Sequence, residues 1–355
     1  MTTINKKNNF DFLRLLMALS VFLSHSAVLT KSPQLRPISY VINVSVAVDV
    51  FFVISGFLIF MSYERSTSLK DYFVKRVRRI YPAYFTVVVI CAIFGVFFTE
   101  FSFREYYSSD WFFKYSLANL SFLNFLQLHL PGVFDGNPGS VLVNGVLWTI
   151  KVEVMFYFAV PLIAYFLSRY NRLLVIGIVY GGAILYSVVL TYMGNSSGSI
   201  FLLKLERQLP SQLAFFIAGA ALYYYIDFAR KHSFKLLFAG LTGFALHKYL
   251  GLYFIYPASL AIITVYFAIF FIYMGNWGKF GDFSYGTYIW HFPVLQAYIY
   301  VGMFNKSPYW GFILSMLTVL ILAFISWHII EKPFLKKSSH YRKVEMLHKG
   351  LRLKK

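Results

Sequence analysis

Apolar segments of about 20 residues recur along the whole chain and are separated by more polar connections. A helix needs about this length to cross a hydrocarbon core of roughly 30 Å, so the pattern predicts an all-α polytopic membrane protein. A further stretch at 111–128 is long enough to span, but its polar side chains favour an interfacial or re-entrant helix. The predicted transmembrane helices, about ten in one bundle, are 10–30, 44–62, 80–98, 147–167, 172–193, 211–227, 234–250, 253–273, 285–304 and 309–330.

The positive charges give this pattern an orientation. With ten spans and a cytoplasmic N-terminus, about three times as many lysines and arginines lie in cytoplasmic connections as in outer ones, which is the usual bias of membrane proteins. If 111–128 also spanned, every later connection would change sides and the basic C-terminal segment would face outward. We therefore predict that both termini are cytoplasmic, that 1–335 forms one membrane domain and that 336–355 is a basic cytoplasmic tail.

The composition excludes several classes of protein. The chain is 59% hydrophobic and 13% charged, which excludes an ordinary soluble domain. Topology and contact with anionic lipid explain the formal net charge of +19, and no soluble basic module that would bind nucleic acid is visible. The single cysteine, Cys91, lies in a predicted span, so a disulfide or thiolate metal site within one chain is excluded. The histidines lack metal-ligand spacing, and we expect no metal.

Two ionisable residues, Arg14 and His25, lie within the first apolar segment, where charge is costly and its presence indicates function. Eleven residues at about 100° each exceed three turns by only about 20°, so both side chains share one helix face. They are separated by roughly 16 Å along the helix axis. One face of this helix is therefore predicted to carry a cation near one membrane surface and an imidazole near the other.

The predicted topology groups further polar residues into an outer layer, roughly 7–9 Å below the outer surface. This outer layer consists of His25, Asp49, Lys151 and Glu153. A carboxylate can hold an imidazole in one tautomer and stabilise the cation that forms when the ring takes a proton from a hydroxyl. We therefore predict that His25 is a general base oriented by Asp49 or Glu153. The alternatives are a structural histidine–carboxylate pair and an ion pair between Asp49 and Lys151.

A second layer of charge is predicted near the inner surface. This inner layer consists of Arg14, His291, Glu331 and Lys332. The basic loop 65–79 adds Arg76 and Arg79, whose spacing lets them share a helix face and bind phosphate in a forked geometry. Pro82 suits the first turn of the next helix, whose N–H groups would face an anion. The alternatives are that the loop only determines topology and that His291 is a structural histidine.

Five groups of motifs carry a resemblance to a known family. They are FDFLRLLMALSVFLSH; VDVFFVISGFLIF; KRVRRIYPAYF with its Arg-x-x-Arg pair; LWTIKVEVMFYF with Trp148 and Glu153; and SYGTYIWHFP with EKP. In this order they resemble the membrane acyltransferase 3 family, whose members move acyl groups from coenzyme A to extracytoplasmic saccharides. The resemblance runs from about Phe10 to Lys332. One departure is Lys151, which stands where the family is expected to have a small or apolar residue.

The resemblance implies roles for the two layers. His25 is the expected catalytic residue and Arg14 its essential companion, while Arg76 and Arg79 hold the phosphates of the acyl donor. The expected catalytic residues are His25, Arg14, Glu153 and Asp49. The expected donor-binding residues are Arg76, Arg79, Arg14 and His291.

The sequence thus predicts a multi-pass enzyme of the bacterial cytoplasmic membrane. It would transfer an acetyl group from cytoplasmic acetyl-CoA to a cell-surface saccharide at the outer face, either directly or through a covalent acyl-histidine. The outer connection 99–146 would be an acceptor platform or an interfacial segment. A proton-coupled transporter would require two matching halves with interrupted helices, and a polysaccharide-export component would require a polar stripe on several spans. Neither pattern is visible.

Overall fold

The computed structural model describes residues 7–41, 43–336 and 339–348. Within these ranges the regular secondary structure is helical and contains no strand. The predicted tail 336–355 lies partly outside the described residues, and Lys6 of the predicted cytoplasmic N-terminus lies outside them. The chain therefore has the all-α character that the apolar pattern predicts.

Ten helices correspond to the ten predicted spans. They are α1 Phe10–Thr30, α2 Val44–Glu64, α3 Leu69–Phe94, α4 Leu147–Arg169, α5 Arg172–Ser197, α6 Leu209–Tyr224, α7 Ser233–Leu250, α8 Tyr256–Val265, α9 Phe283–Tyr300 and α10 Pro308–Ile325. In the described part of the chain, seven are long and apolar enough to cross a membrane, with α8 and α10 extended by adjoining turns to Tyr253–Phe270 and Pro308–Phe334. The other three, α6, α7 and α9, have only 16 to 18 residues.

Shorter helical elements connect or follow these ten. The short α-helices are Arg36–Val41, Phe103–Ser108, Asp110–Leu120, Ile200–Glu206, Ile226–Lys231, Met303–Lys306, Lys332–Phe334 and His340–His348. The 3₁₀ turns are Gly95–Phe98, Tyr253–Ile255 and Trp277–Lys279, and the π-turns are Tyr266–Phe270 and Ser326–Glu331. Asp110–Leu120 is the helical part of the stretch 111–128. Its length of about 16 Å is too short to span a bilayer, as the charge distribution requires.

The basic segment 65–79 is largely helical, which corrects the prediction of a loop. Helix α3 begins at Leu69, where the hydroxyl of Ser68 accepts a hydrogen bond from the backbone N–H of Asp71 at 3.1 Å. A hydropathy pattern misses this start because the first turns of the helix are polar. Pro82 lies inside α3, not in its first turn as predicted. Membrane helices tolerate such an internal proline when neighbouring groups compensate for its missing N–H.

The chain divides into two compact units, of which the first contains residues 7–13, 48–73 and 152–275. Close contact between α2 and α6 organises this unit. A Cβ on Gly56 would lie 1.9 Å from the carbonyl oxygen of Phe216, and one on Gly219 would lie 2.1 Å from that of Val53. Because only glycine permits such an approach, the two backbones touch directly. Phe156 stacks on Phe216 beside this crossing, with 4.1 Å between ring centroids.

The second unit contains residues 14–41, 43–47, 74–151, 276–336 and 339–348 of the described chain, and α9 lies at its centre. Fourteen of the 18 residues of α9 are buried. Helix α10 packs so closely that a Cβ on Gly286 would lie 2.8 Å from the Cα of Ala323. Helix α9 is thus surrounded by protein, which explains why a helix with several polar side chains is compatible with a membrane environment.

The connection 99–146 is attached to α9 by side-chain amides. Pro293 cannot offer an N–H to the carbonyl of Ile289, and the side chain of Asn144 donates to that oxygen at 3.0 Å instead. One turn farther along, the Gln296 amide donates to the carbonyl oxygens of Ser140 and Leu142 at 2.8 and 2.7 Å. These contacts satisfy buried backbone groups that would otherwise be costly.

Candidate active site

Two polar contacts join α1 to α9 within the second unit. Arg14 donates through Nη1 to Asp282 Oδ2 at 2.8 Å, and farther along His25 Nδ1 lies 2.8 Å from His291 Nε2. Since Arg14 precedes His25 and Asp282 precedes His291, the two helices run parallel. At 1.5 Å per residue the contacts are about 14–16 Å apart along the helices. The second unit therefore holds two separate polar layers on one pair of helices.

The first of these layers, which we call the guanidinium cluster, consists of Arg14, Arg79, Asp282 and Glu331. Arg79 lies between the two acids: its Nη2 pairs with Asp282 Oδ2, and its Nη1 donates to Glu331 Oε2 at 3.1 Å. The Asp282 and Glu331 side chains are only 3% and 1% exposed, and that of Arg79 is 13% exposed. Charges at this depth require partners, and the cluster supplies two of each sign.

Asp282 occupies its position because it caps α9. Its Oδ1 accepts a hydrogen bond from the backbone N–H of Ser284 at 3.0 Å, while Oδ2 receives both guanidiniums. Burial alone would raise the pKa of this carboxyl, but Arg14 and Arg79 outweigh burial and hold the pKa well below its usual range. Gly281 before it has φ +126°, and a Cβ there would collide with the indole of Trp327.

Aromatic rings surround the guanidinium of Arg79. The rings of Tyr285, Trp327 and Tyr341 lie 5.7, 5.9 and 5.4 Å from its central carbon. Arg14 also donates to the hydroxyl of Tyr341 at 2.8 Å. Tyr341 belongs to the C-terminal helix His340–His348, so this helix packs directly on the cluster. Rings in this arrangement stabilise a cation that is largely removed from water.

The cluster combines residues that the sequence singled out with others that it did not. Arg14 and Arg79 meet through Asp282, and Arg76 lies three residues before Arg79 in α3. Asp282 and Tyr341 were missed. Aspartate directly before a helix is a recognisable cap signal, and it would have identified Asp282. Nothing in the sequence links Tyr341 to the cluster, because the contact depends on how the chain packs after α10.

The second polar layer is an imidazole pair formed by His25 and His291. Their rings are nearly parallel, with 5.1 Å between centroids, and Phe292 meets His25 edge-on at 5.4 Å. The prediction that His291 lies with Arg14 in the inner layer is therefore wrong. The prediction measured the depth of His291 along one helix, from a start at residue 285, and did not consider how α9 packs against α1. In the structure Asp282, at the start of α9, pairs with Arg14, and His291 lies nine residues farther along the helix.

Asp49 and Glu153 belong to the first unit, where each has a tyrosine partner. Tyr256 donates through its hydroxyl to Asp49 Oδ2 at 2.8 Å, and Tyr157 donates to Glu153 Oε1 at 2.7 Å. Lys151, in the second unit, lies over the ring of Phe125 with Nζ 4.8 Å from the centroid. The roles of Asp49 and Glu153 in orienting His25 stay predictions.

The described part of the chain offers no group of side chains arranged as metal ligands. In the described ranges, no three histidine, cysteine, aspartate or glutamate side chains are grouped so that they could hold an ion. The prediction that the chemistry needs no metal remains untested by this observation.

Comparison with known proteins gives these layers a context. Residues 7–329 match the model of the acyltransferase domain family, acyltransferase 3. The chain belongs to this family. The acyltransferase is 30% identical over 352 residues to the O-acetyl transferase of Shigella phage Sf6, covering 95% of this chain and 98% of that protein. It is 27% identical to nodulation protein 10 of Rhizobium leguminosarum bv. viciae, covering 93% and 94% of the two chains.

A third relative is longer. The peptidoglycan O-acetyltransferase OatA of Listeria monocytogenes serovar 1/2a is 25% identical over 337 residues, which cover 82% of this acyltransferase but 51% of OatA. No solved structure matches the chain. The family match and the apolar helices together establish a multi-pass membrane acyltransferase.

Replacing Asp282 with asparagine should destabilise the acyltransferase. The variant leaves two guanidiniums without their shared carboxylate, and breaking a buried pair typically costs about 3–5 kcal/mol. Thermal unfolding in detergent measures the loss. The matched control is Asp227→Asn, which removes an exposed pair with Arg230 and should cost less than about 1 kcal/mol.

The pH dependence of that loss follows from the depressed pKa. A carboxyl with a lowered pKa stabilises the fold above its unfolded-state pKa of about 4, and this contribution disappears only as the pH falls through the lower folded-state pKa. The stability difference between Asp282→Asn and the native chain should therefore still be present at about pH 5, as it is at about pH 8. A difference that disappears between these two values would contradict the ionised pairing.

Proposed function

We propose that this acyltransferase is a membrane O-acetyltransferase that moves an acetyl group from cytoplasmic acetyl-CoA to a hydroxyl of an extracytoplasmic saccharide. The observation that carries the proposal is the pair of parallel helices, with guanidiniums at one end and imidazoles about 15 Å farther along. An extended pantetheine arm has a length of this order. Support for the acetyl group and the saccharide comes from the named relatives, an O-acetyl transferase and a peptidoglycan O-acetyltransferase.

The proposal includes a topology of ten spans with both termini in the cytoplasm. The seven apolar helices would be joined by α6, α7 and α9. In that topology α1 and α9 are both odd-numbered spans that run outward, and their parallel contacts support this arrangement. The membrane domain would extend over 1–335, and the basic tail 336–355 would contact the cytoplasmic face of an anionic bilayer.

The donor would bind with its phosphates at the guanidinium end. Arg14, Arg76 and Arg79 are the proposed ligands, because a guanidinium presents five N–H donors and binds phosphate in a forked geometry. Arg79 already pairs with two carboxylates, so its part includes holding Asp282 in place as well as attracting phosphate. His291, now beside His25, would lie near the thioester and not near the phosphates.

The reaction would take place at the imidazole pair. His25 accepts the proton of the saccharide hydroxyl, the resulting oxygen nucleophile attacks the thioester carbonyl, and the coenzyme leaves as a thiolate that regains a proton. The alternative within the same function is attack by His25 itself, which would produce a transient acyl-histidine.

Replacing His25 with alanine should abolish transfer. Loss of a general base lowers a rate by about 10²–10⁴-fold, and loss of a nucleophile would be at least as severe. Mass spectrometry of surface glycans from cells that carry equal amounts of each variant in the membrane measures the acetylation. His232→Ala, which removes a histidine of the first unit, should retain full acetylation. Normal acetylation by His25→Ala would end this mechanism.

Replacing Arg76 with alanine should raise the KM for acetyl-CoA by about 10- to 150-fold, as expected for one charge-assisted hydrogen bond of roughly 1.5–3 kcal/mol. The double variant with Arg79→Ala should raise it further and also lower stability. Arg78→Ala is the matched control, because Arg78 is an exposed arginine in the same helix. If the KM for acetyl-CoA is the same in all three variants, the basic segment determines only the topology and does not bind the donor.

A cysteine at Gly136 tests the orientation. Gly136 is exposed and a Cβ there meets no neighbour within 4 Å, whereas the adjacent Asn137 is buried. In a Cys91→Ser background, an impermeant thiol reagent added to intact cells should label Gly136→Cys. Lys231→Cys, on the opposite side in the proposed topology, should be labelled only after lysis. The reverse pattern would refute the orientation.

A further inference from the structure

The imidazole pair has a hydrogen-bond pattern with a definite direction. His291 is fully buried, and its Nδ1 lies 2.6 Å from the carbonyl oxygen of Tyr288. A carbonyl oxygen can only accept, so Nδ1 of His291 carries the proton. In a neutral imidazole the other nitrogen is then an acceptor. His25 Nδ1, 2.8 Å from His291 Nε2, is therefore the donor in the contact between the two rings.

This assignment depends on a neutral His291, and its surroundings favour that form. Its ring is in contact with the rings of Tyr288, Phe292 and His25, and its hydrogen-bond partners in the structure are a neutral carbonyl and a second imidazole. An imidazolium enclosed in this way would lose the hydration that stabilises its charge, and none of these contacts is a carboxylate that would offset the loss. A neutral ring instead satisfies both of its nitrogens.

The position of the pair is determined by the α9 backbone and by the outer connection. Tyr288, whose carbonyl accepts from His291, has its hydroxyl 2.7 Å from Thr149 Oγ1. The next carbonyl along, that of Ile289, accepts from Asn144. The backbone carbonyl that accepts from His291 therefore belongs to a turn of α9 that is held by two side-chain hydrogen bonds, which gives the imidazoles a defined orientation.

We propose that His291 is a positioning residue that holds His25 in the tautomer with Nδ1 protonated and leaves Nε2 of His25 as the basic nitrogen. This rests on the proposed function, in which His25 accepts the hydroxyl proton. The nearly parallel rings, 5.1 Å apart, and the Nδ1-to-Nε2 contact support the assignment. His291 replaces the carboxylate that serves as the orienting group in a serine–histidine–aspartate triad.

The proton balance of the step is complete. The hydroxyl O–H bond breaks and its proton goes to Nε2 of His25, while the oxygen forms a bond to the thioester carbon. The C–S bond then breaks, and Nε2 returns the proton to the departing thiolate. Throughout this cycle Nδ1 of His25 keeps its proton and donates a hydrogen bond through it to Nε2 of His291, whose lone pair stabilises the transient imidazolium.

Two variants of His291 separate an orienting role from a purely structural one. His291→Gln offers an amide oxygen near the position of Nε2, and His291→Phe keeps ring volume without any acceptor. We expect kcat to fall roughly a hundredfold or more in the phenylalanine variant and less than about tenfold in the glutamine variant. The KM for acetyl-CoA should change by less than about twofold in both. An unchanged kcat in His291→Phe, or a raised donor KM at constant kcat, overturns the proposal.

A spectroscopic measurement tests the tautomer without relying on activity. Nitrogen-15 NMR of the full-length, histidine-labelled acyltransferase in lipid distinguishes protonated from lone-pair nitrogens, and the signals lost in His25→Ala identify His25. The native spectrum should show Nδ1 protonated and Nε2 not, and His291→Phe should shift His25 toward the opposite tautomer. Nε2-protonated His25 in the native protein overturns the proposal, even if the phenylalanine variant fails to fold.

The two experiments separate this proposal from the one on which it rests. If His25→Ala still transfers acetyl groups, the proposed role of His25 as the proton acceptor fails, whatever the tautomer of its ring is. If His25→Ala is inactive but native His25 carries its proton on Nε2, the proposed function stands and the role of His291 falls. The expected result is an inactive His25→Ala together with an Nδ1-protonated native ring.

Discussion

The sharing of one buried carboxylate, Asp282, by two guanidiniums is the interaction on which the second unit depends. Arg14 comes from α1, Arg79 from α3, and Asp282 precedes α9, while Glu331 after α10 adds a second carboxylate to Arg79. In a region of low dielectric an isolated charge is so unfavourable that each of these groups needs the others. Four segments far apart in the sequence are thereby required to meet at one level of the membrane domain.

Much of the fold could be predicted from the sequence, because the period and length of apolar segments depend directly on helix geometry and bilayer thickness. The helix from Phe10 to Thr30 was predicted to the residue. The start of α3 was not, because its first turns are polar and helical for reasons of capping and not of hydropathy. Helix α9 was predicted, yet its almost complete burial depends on tertiary packing that no local pattern reveals.

The candidate site was less predictable than the fold. Arg14 and His25 were identified because charge in an apolar segment is costly, and that cost is visible in the sequence. Arg79 was identified because its spacing from Arg76 suits phosphate binding. Which carboxylate would meet Arg14 was not visible, since Asp282 lies 268 positions away. The pairing of His25 with His291 was missed for the same reason: a depth counted in residues describes one helix at a time, whereas the contact depends on how two helices are aligned.

The parallel alignment of α1 and α9 is anchored at two levels, and this has a consequence for how the acyltransferase depends on its lipid surroundings. Two helices connected at both ends of a segment cannot slide along each other without breaking one of the contacts. The distance between the guanidinium cluster and the imidazole pair is thus determined by the rise per residue of the helices and not by the thickness of the surrounding bilayer. A thinner or thicker bilayer would change the tilt of the whole assembly of helices, but the reach demanded of a donor molecule would be the same in either.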